Sequence, residues 1–307
     1  MLLAVVRRRR RGEWLDAEAR APEGSLEQQT LALFEAADLA VRRGSSRDYH
    51  GRIDDDRIER VSLLRPQEIP RYVEDGFFDL GITGHDWVEE TGARIETLAS
   101  LAYAKGGSGQ GVKIVLAVPA TSPAERGADL PAGARISTEY PELTKRYFDG
   151  LGIPVKVFES YGATEAKVPD IVDAIVDVSE TGGTLRAHGM KIVETLLESD
   201  VLLVANRDAA ADPEKRRAMD ELRTLLLGAL DAQGPVLIKL NVSEERLKEV
   251  LEFLPSMKAP TVSPLAEEGN YAIKTVVEKR AVNRLIPQLK AHGATDILEL
   301  PISKIVP

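Results

Sequence analysis

A buried apolar stretch that runs straight into a glycine-rich turn is the feature that most constrains the fold of this chain. Ala174 to Val178 read as a strand, Thr181 to Thr184 as a turn, and the segment up to about Ser199 as an amphipathic helix. Main-chain N–H groups in the turn, two threonine hydroxyls and the positive end of the helix together favour an anion. The segment predicts a phosphate site, with an ordinary strand–turn–helix as the alternative.

Two aspartates flank the same strand, Asp173 before it and Asp177 near its end. Carboxylates beside a phosphate suit a sugar phosphate, because the sugar hydroxyls need acceptors and an accompanying metal ion needs oxygen ligands. We therefore expect both carboxylates to lie close to the turn.

Composition excludes several classes of protein. The chain has 307 residues, a net charge of −9 and no cysteine. The acidic balance argues against nucleic-acid binding, and the absence of cysteine excludes disulfides, thiolate metal sites and a cysteine nucleophile. The four histidines are widely spaced, which disfavours a histidine-rich zinc site. Because no apolar run approaches membrane-spanning length, we expect no membrane partner.

The N-terminus carries a short apolar stretch, Met1 to Val6, followed by five arginines, Arg7 to Arg11. A secretory signal has its charges before the apolar part, so this order predicts a cytoplasmic protein. The arginines fit either a solvated segment or a contact with an anionic partner.

Strands and helices alternate along the first two thirds of the chain. The predicted strands are 58–64, 78–82, 112–118, 135–138, 155–158, 174–178 and 201–205, and the other predicted helices are 26–39, a short one ending before Gly76, 85–91, 139–150 and 212–232. Such alternation predicts parallel sheets in an α/β architecture. Ligands of these folds bind at the carboxyl ends of strands, where the turns Thr83-Gly84 and Thr181 to Thr184 are expected.

A second glycine-rich loop, Gly106 to Gly111, precedes a predicted strand instead of following one. It therefore lacks the context of a dinucleotide-binding loop, and we interpret it as a hinge or crossover.

Beyond Gly234 the order of elements changes. Strands at 236–242, 261–265, 272–278 and 297–306 and helices at 244–254 and 282–292 follow one another as β-α-β-β-α-β. This is the ferredoxin-like order, so we place a domain boundary near Gly234.

Short motifs occur in a fixed order along most of the chain. They are Gly24-Ser-Leu-Glu27, Arg65-Pro-Gln-Glu-Ile-Pro70, Asp79-Leu-Gly-Ile-Thr-Gly84, Thr138-Glu-Tyr-Pro141, Asp173-Ala-Ile-Val-Asp-Val-Ser-Glu-Thr-Gly-Gly-Thr-Leu185, Ala259-Pro-Thr-Val-Ser-Pro-Leu265 and Gly293-Ala-Thr-Asp-Ile-Leu298. In the order and spacing of these motifs, the chain resembles the ATP phosphoribosyltransferases of histidine biosynthesis, in their long form with a C-terminal regulatory domain. One departure is Glu23, where the family has a lysine that reaches substrate phosphate.

The resemblance implies a fold and a reaction. The fold is α/β, with two periplasmic-binding-protein-like lobes around a cleft, residues 1–111 with 204–232 and residues 112–203, and an ACT-like ferredoxin-like domain at 233–307. N1 of ATP would attack C1 of 5-phosphoribosyl 1-pyrophosphate, with Mg²⁺ accompanying the pyrophosphate that leaves. Histidine would inhibit through the C-terminal domain, and subunits would assemble as dimers and hexamers.

The resemblance also assigns roles to residues. It puts the phosphoribosyl group at Asp177, Thr181, Gly182, Gly183, Thr184 and Leu185. It makes Asp173 and Glu165 catalytic acids near the ribose hydroxyls, with Asp173 also a metal ligand. It gives the nucleotide side to Thr83, Gly84, Asp86, Glu139 and Tyr140.

Structural alternatives stand beside several of these roles. Glu165 could be a solvated loop acid, Asp86 a helix N-cap, and Tyr140 a tyrosine at the edge of the core. For the whole chain, the alternative is a two-lobed solute-binding protein without catalysis.

Overall fold

The computed structural model describes residues 2–6, 25–45, 48–101, 111–255, 257 and 259–307, with the side chains of 2–6 and 25 left aside. Three features of the sequence lie outside the described residues: the arginine run, Glu23, and the glycine loop up to residue 110. The chain forms two compact units, Met1–Glu35 with Leu39–Arg223, and Ala36–Asp38 with Thr224–Pro307.

The described strands of the first unit make two sheets. In chain order they are β1 (Leu2–Val6), β2 (His50–Gly51), β3 (Arg60–Leu64), β4 (Leu80–Gly84), β5 (Glu96–Ser100), β6 (Val112–Pro119), β7 (Arg135–Thr138), β8 (Lys156–Glu159), β9 (Ala174–Ser179), β10 (Met190–Ser199) and β11 (Val201–Ala205). The six-stranded sheet has the order β2-β3-β1-β4-β11-β5, and the five-stranded sheet the order β10-β6-β9-β7-β8.

Helices lie between these strands. They are α1 (Ser25–Ala36), α2 (Ile69–Glu74), α3 (His85–Thr91), α4 (Pro141–Leu151), α5 (Gly183–Ala187), α6 (Arg207–Ala211) and α7 (Pro213–Asp231), together with 3₁₀ turns at Gly127–Asp129 and Thr164–Lys167. Along β9, Ala174 and Val176 enter one apolar cluster and Ile175 enters another. Because successive side chains of a strand point to opposite faces, β9 is buried on both sides and its position is fixed.

The mixed α/β class is confirmed, but the expectation of parallel sheets is wrong for most strands. Strand β7 pairs in parallel with β8 and with β9. The other pairs between described strands are antiparallel. Alternation of strands and helices along the chain does not determine which strands become neighbours in a sheet. Strand β6, for example, lies between β9 and β10 and is antiparallel to both.

The helix predicted to run to about Ser199 is also wrong. Helix α5 ends at Ala187, and Gly189, with φ of 70°, turns the chain into strand β10. Strand β10 pairs with β6 through two register shifts, between Ile192 and Glu194 and between Thr195 and Leu197. Each bulge adds a residue, so the exposed positions Ile192, Thr195 and Glu198 recur at intervals of three and imitate the period of a helix.

Two element boundaries differ from prediction in ways that affect the site. Thr83 and Gly84 do not form a turn, because they are the last residues of the fully buried strand β4. Gly84 is the N-cap of α3. Helix α4 begins at Pro141, so that Tyr140 is its N-cap and Glu139 precedes the helix.

The second unit confirms the ferredoxin-like order. Its described elements are β12 (Pro235–Ser243), α8 (Glu244–Phe253), β13 (Thr261–Pro264), β14 (Asn270–Glu278), α9 (Lys279–Ala291) and β15 (Thr295–Pro301). The antiparallel sheet has the order β13-β14-β12-β15. Alternate residues of β12 pack against both helices, which gives this unit its own apolar core. Among the described helices of the whole chain, none has the length and apolar character needed to cross a bilayer.

Candidate active site

Strand β9 leads into the glycine turn that the sequence predicts. Gly182 has φ of 72° and donates its N–H to the Ser179 hydroxyl, 2.9 Å away. Arg186 closes the turn from outside by donating from Nη2 to the carbonyl oxygen of Thr181, at 2.9 Å. Thr181, Gly183 and Thr184 are exposed. The first N–H groups of a helix have no intrahelical acceptor, so the turn presents donors to an anion.

Leu185 lies in the core, although the resemblance places it among the ligand-binding residues. Its side chain is 4% exposed and packs in a cluster that includes Ile175 and Met190. Leu185 therefore anchors the turn to the sheet, and any contact it makes with a ligand comes from its main chain.

The expectation that Asp173 lies beside the turn is wrong. Asp173 precedes β9 and the turn follows it, and six strand residues span about 20 Å. The Asp173 carboxylate instead accepts three hydrogen bonds from Arg135, from the main-chain N–H at 2.8 Å, from Nε at 3.2 Å and from Nη2 at 2.7 Å. These bonds from the Arg135 guanidinium and N–H lower the pKa of Asp173.

Asp173 does not fit a metal ligand either. Both of its oxygens are already bonded to Arg135, whose positive charge repels a cation. In the part of the chain that the structure describes, no group of three or more His, Asp and Glu side chains could hold a metal ion.

Two acids and a serine meet where β7 and β8 end beside β9. Thr138 at the end of β7 pairs with Glu159 at the end of β8 and with Val176 in β9. The next residues along each strand, Glu139, Ser160 and Asp177, consequently lie side by side at one edge of the sheet. Carboxyl ends of parallel strands are where ligands of α/β folds bind.

Asp177 is the electrostatically perturbed member of this set. Burial, with Glu139 and Glu165 nearby, raises the pKa of Asp177 to about 6, against the downward effects of the Val178 N–H and of Lys167. Glu165 belongs to the 3₁₀ turn Thr164–Lys167, and its charge is near enough to Asp177 to raise the pKa of that carboxyl. A carboxyl with a strongly perturbed pKa beside other acids is typical of a functional site.

Lys167 lies beside this edge, and no sequence pattern singled it out. Its Nζ donates to the hydroxyls of Ser160, at 2.6 Å, and Ser137, at 3.3 Å. In the sequence, Lys167 follows Glu165 by two residues. A lone lysine in a loop is usually solvated, so only the packing shows where this one lies.

Thr83 and Asp86 are buried and bonded within the protein. The Thr83 hydroxyl donates to the carbonyl oxygen of Pro66, at 2.9 Å. Asp86, 5% exposed, accepts from the Ser199 hydroxyl at 2.6 Å and from the Tyr140 hydroxyl at 2.8 Å. The N-cap alternative for Asp86 is wrong, because the N-cap is Gly84 and Asp86 lies in the first turn of α3.

Tyr140 is a tyrosine of the core edge, as the structural alternative had it. Its ring is 4% exposed and stacks on Trp87, with centroids 4.6 Å apart and planes inclined by 29°. Burial and the neighbouring Asp86 raise the pKa of the Tyr140 hydroxyl well above its usual value. Because Trp87 covers this face of the ring, a nucleotide base cannot stack on it. Tyr140 instead connects the start of α4 to α3 through Asp86 and Trp87.

The structure is that of a two-part α/β protein: a mixed-sheet unit with a glycine turn and an acidic strand edge, followed by a ferredoxin-like unit. A model of the ATP phosphoribosyltransferase family matches residues 65–228, and a model of the C-terminal domain of the same family matches residues 232–304. The chain belongs to the ATP phosphoribosyltransferase family.

Curated relatives agree along nearly the whole chain. The ATP phosphoribosyltransferase of Solibacter usitatus is 47% identical over 285 residues, 93% of this chain and 97% of that protein. The enzyme of Koribacter versatilis is 45% identical over the same shares of both chains. Among solved structures, an ATP phosphoribosyl transferase (HisG:HisZ) complex from Thermotoga maritima matches with a TM-score of 0.56 and 22% identity, over 67% of this chain and 96% of that one, which shows a shared fold.

Proposed function

We propose that this protein condenses ATP with 5-phosphoribosyl 1-pyrophosphate to give N1-(5-phosphoribosyl)-ATP and pyrophosphate, the first step of histidine biosynthesis. One observation carries the proposal. In a chain of this family, strand β9 contributes to the acidic strand edge and leads directly into an exposed glycine turn. The turn suits the 5-phosphate of the ribosyl donor, and the acids suit its ribose hydroxyls.

The proposed chemistry needs positioning more than a protein nucleophile. N1 of ATP supplies the electron pair, C1 of the ribose forms the new bond, and the bond to pyrophosphate breaks with its electrons leaving on the pyrophosphate. Positive charge builds on the ribose ring as that bond lengthens. Asp177 and Glu165, accepting from the ribose hydroxyls, hold the ring in place and offset that charge.

Magnesium enters this proposal as part of the substrate. The one predicted protein ligand, Asp173, does not fit a metal. We therefore assign Mg²⁺ to the pyrophosphate of the donor, where phosphate oxygens supply its preferred ligands.

The nucleotide side of the site is proposed to lie across from the turn, at the end of β4 and the start of α3. Because Thr83, Asp86 and Tyr140 use their polar groups within the protein, we assign them to positioning this region. Gly84 offers main-chain contact. Glu139, half-buried at the acidic edge, remains the predicted side-chain contact for ATP.

The organisation and regulation proposed for the chain follow the family. We propose residues 1–111 with 204–232 as one lobe, 112–203 as the other and 233–307 as a regulatory domain that binds histidine. Assembly into dimers and hexamers and a cytoplasmic location belong to the same proposal. The ferredoxin-like sheet order of the second unit supports it, because small modules of this kind often sense ligands or pair.

An assay of pyrophosphate release with both substrates tests the proposed function. Thr184→Ala removes one donor from the exposed turn, and we expect the donor's kcat/KM to fall by about 10²-fold, as for other lost anion donors. The control is Thr121→Ala, because exposed Thr121 follows β6 at the edge where β9 begins, away from the turn. Binding of the donor without any pyrophosphate release would favour the solute-binding alternative, which the family match disfavours.

A further inference from the structure

Two arginines lie directly opposite each other beside strand β2. Arg42 and Arg52 exchange main-chain hydrogen bonds, at 2.8 and 2.9 Å, in an isolated antiparallel bridge. Side chains in this register share one face of the sheet, and the Cα atoms of such a pair are about 5.5 Å apart. Both residues are exposed. Like charges directly opposite each other destabilise a strand pair, so the fold holds these two guanidinium groups side by side at a cost.

Neither guanidinium group has an acidic partner in the part of the chain that the structure describes. Neighbouring arginines do have one: Arg43 pairs with Glu27 at 2.9 Å, and Arg57 with Asp55 at 2.6 Å. Among the described residues, no carboxylate lies within ion-pair distance of Arg42 or Arg52. The two positive charges are therefore not offset by a direct contact with these residues.

The two arginines line a groove of about 680 Å³. The wall of the groove also includes His50, Glu59 and Arg60. His50 lies two residues before Arg52 and so on the same face, and its Nδ1 is 3.2 Å from the hydroxyl of Ser62, a residue 2% exposed. Arg60 has an interaction of its own within the protein, so we do not count it as a ligand.

The groove favours an anion, although the protein as a whole has a net charge of −9. Arg42 and Arg52 bring two positive charges against the single negative charge of Glu59. A guanidinium group is a planar fork of donors that matches the oxygens of a phosphoryl group two at a time. Two forks side by side suit two linked phosphoryl groups, because each fork can hold one of them.

We propose that this groove is a second anion site, which binds a diphosphate group through Arg42 and Arg52. Free pyrophosphate and the diphosphate of a nucleotide share this chemistry. The site is independent of the reaction proposed above and takes no part in it.

The groove is separate from the candidate active site. Strands β3 and β4 both pair antiparallel with β1, so they run in the same direction. Arg60, in the wall of the groove, is the first residue of β3, whereas the proposed nucleotide side lies at the end of β4. The five residues of β3, or about 16 Å, separate these two levels of the sheet. The glycine turn follows β9, which belongs to the other sheet.

Calorimetry of the full-length protein with inorganic pyrophosphate tests the site. We expect the double variant Arg42→Gln/Arg52→Gln to weaken binding at the groove by about tenfold, because two charged partners are removed. Arg42→Lys/Arg52→Lys should fall between this variant and wild type, because it keeps the charge and loses the forks.

The matched control is Arg207→Gln/Arg280→Gln, which removes the same charge from two exposed arginines elsewhere. It should bind pyrophosphate within about twofold of wild type. Equal binding by the control and by Arg42→Gln/Arg52→Gln would overturn the proposal.

The turn after β9 is itself proposed to bind phosphate, so the titrations are repeated in the Thr184→Ala background. Binding at the groove should persist there and should be lost when Arg42→Gln/Arg52→Gln is added. If adding that pair changes nothing in this background, the groove is not an anion site. Pyrophosphate release with both substrates is measured separately, so failure of the proposed reaction leaves this result intact.

ADP in place of pyrophosphate identifies the source of the diphosphate. An affinity for ADP that depends on Arg42 and Arg52 and exceeds that for pyrophosphate assigns the groove to a nucleotide. The reverse order assigns it to free pyrophosphate. If neither affinity depends on the two arginines, the proposal is wrong.

Urea denaturation without added anion gives an independent readout. Because the two arginines repel each other, the midpoint for Arg42→Gln/Arg52→Gln should be at or above that of Arg207→Gln/Arg280→Gln. A midpoint clearly below that of the control would show that the fold itself needs the arginine pair. Weaker pyrophosphate binding would then follow from lost structure, and the proposal would fall.

Discussion

Asp177 lies in strand β9, where burial disfavours the charged form of its carboxyl group. The ionised carboxylate therefore destabilises the folded protein. The pKa of Asp177 is about 6 in the folded protein, against an ordinary value of 3.8. The folded protein therefore binds this proton more tightly than the unfolded chain does. Protonation of Asp177 therefore contributes to the free energy of unfolding. This contribution is fully present below about pH 4 and is lost as the pH rises through about 6.

Asp177→Asn should consequently stabilise the free protein at high pH and leave it unchanged at low pH. We expect the free energy of unfolding to rise by about 1–2 kcal/mol at pH 8, with almost no change at pH 4, because only the charged carboxylate is penalised. Urea denaturation at both pH values measures this, with the exposed Asp170→Asn as control. An equal gain at both pH values would show that charge is not the cause.

Asp173 is expected to behave as a structural residue. Asp173→Ala removes three hydrogen bonds to Arg135 at a half-exposed ion pair, so we expect the free energy of unfolding to fall by about 1 kcal/mol. The kcat/KM for the donor should change by less than about threefold. Thermal unfolding and the pyrophosphate assay check both parts, and abolished turnover with an intact fold would return Asp173 to the active site.

At the scale of the element, the turn after β9 depends on a glycine that alanine cannot replace freely. Gly182 has φ of 72°, and a Cβ there would lie 2.9 Å from Arg186 Nη1 and 3.0 Å from Ile192 Cδ1. Gly189, with φ of 70°, has no atom within 4 Å of an added Cβ, which makes it a matched control.

Both Gly182→Ala and Gly189→Ala should lower the free energy of unfolding by about 1 kcal/mol, because each forces alanine into the left-handed region. Gly182→Ala alone should raise the KM for the ribosyl donor, by about tenfold, since it also displaces the side chains that close the turn. Steady-state kinetics beside thermal unfolding separate the two effects. Similar KM values for both variants would place the phosphate elsewhere.

Helix α4 is capped from another helix. The Glu90 carboxylate of α3, 9% exposed, accepts from the N–H of Glu142 at 2.9 Å and of Leu143 at 2.8 Å. A carboxylate at a helix N-terminus accepts from N–H groups that have no partner within the helix. Its negative charge also interacts favourably with the positive end of the helix dipole. These two bonds and the Asp86–Tyr140 bond join α3 to the start of α4.

Glu90→Ala should lower the free energy of unfolding by about 1–2 kcal/mol, because two charge-assisted bonds to N–H groups are lost. Glu89→Ala, at a neighbouring and more exposed position of the same helix, should cost less than about 0.5 kcal/mol. Urea denaturation compares the two. A smaller loss for Glu90→Ala than for Glu89→Ala would contradict the capping role.

At the scale of the whole molecule, the second unit is predicted to carry the response to histidine. Full-length protein should lose activity on addition of L-histidine, and a truncation ending near Gly234 should lose that response if it retains turnover. An effector of this kind shifts an equilibrium between states for which it has different affinities. Inhibition curves and sedimentation analysis measure the response of both proteins to L-histidine. A truncated protein that remained fully sensitive would show that the second unit does not carry the response.

The amino-acid sequence by itself determined the elements whose signals are local. The apolar run of β9, the glycines and threonines of the turn, and the β-α-β-β-α-β order of the second unit are all properties of neighbouring residues. The family motifs are local as well. Such signals remain readable because backbone preference and side-chain periodicity act within a few residues.

Tertiary structure alone decided what depends on distant partners. Pairing with β6 made β10 a strand, Arg135 engages the carboxylate of Asp173, and Trp87 stacks on the ring of Tyr140. The hydrogen bonds of Lys167 to Ser137 and Ser160 likewise depend on how β7 and β8 pair. In each case the deciding partner is far away in sequence or is chosen by strand pairing, and no local pattern encodes that choice.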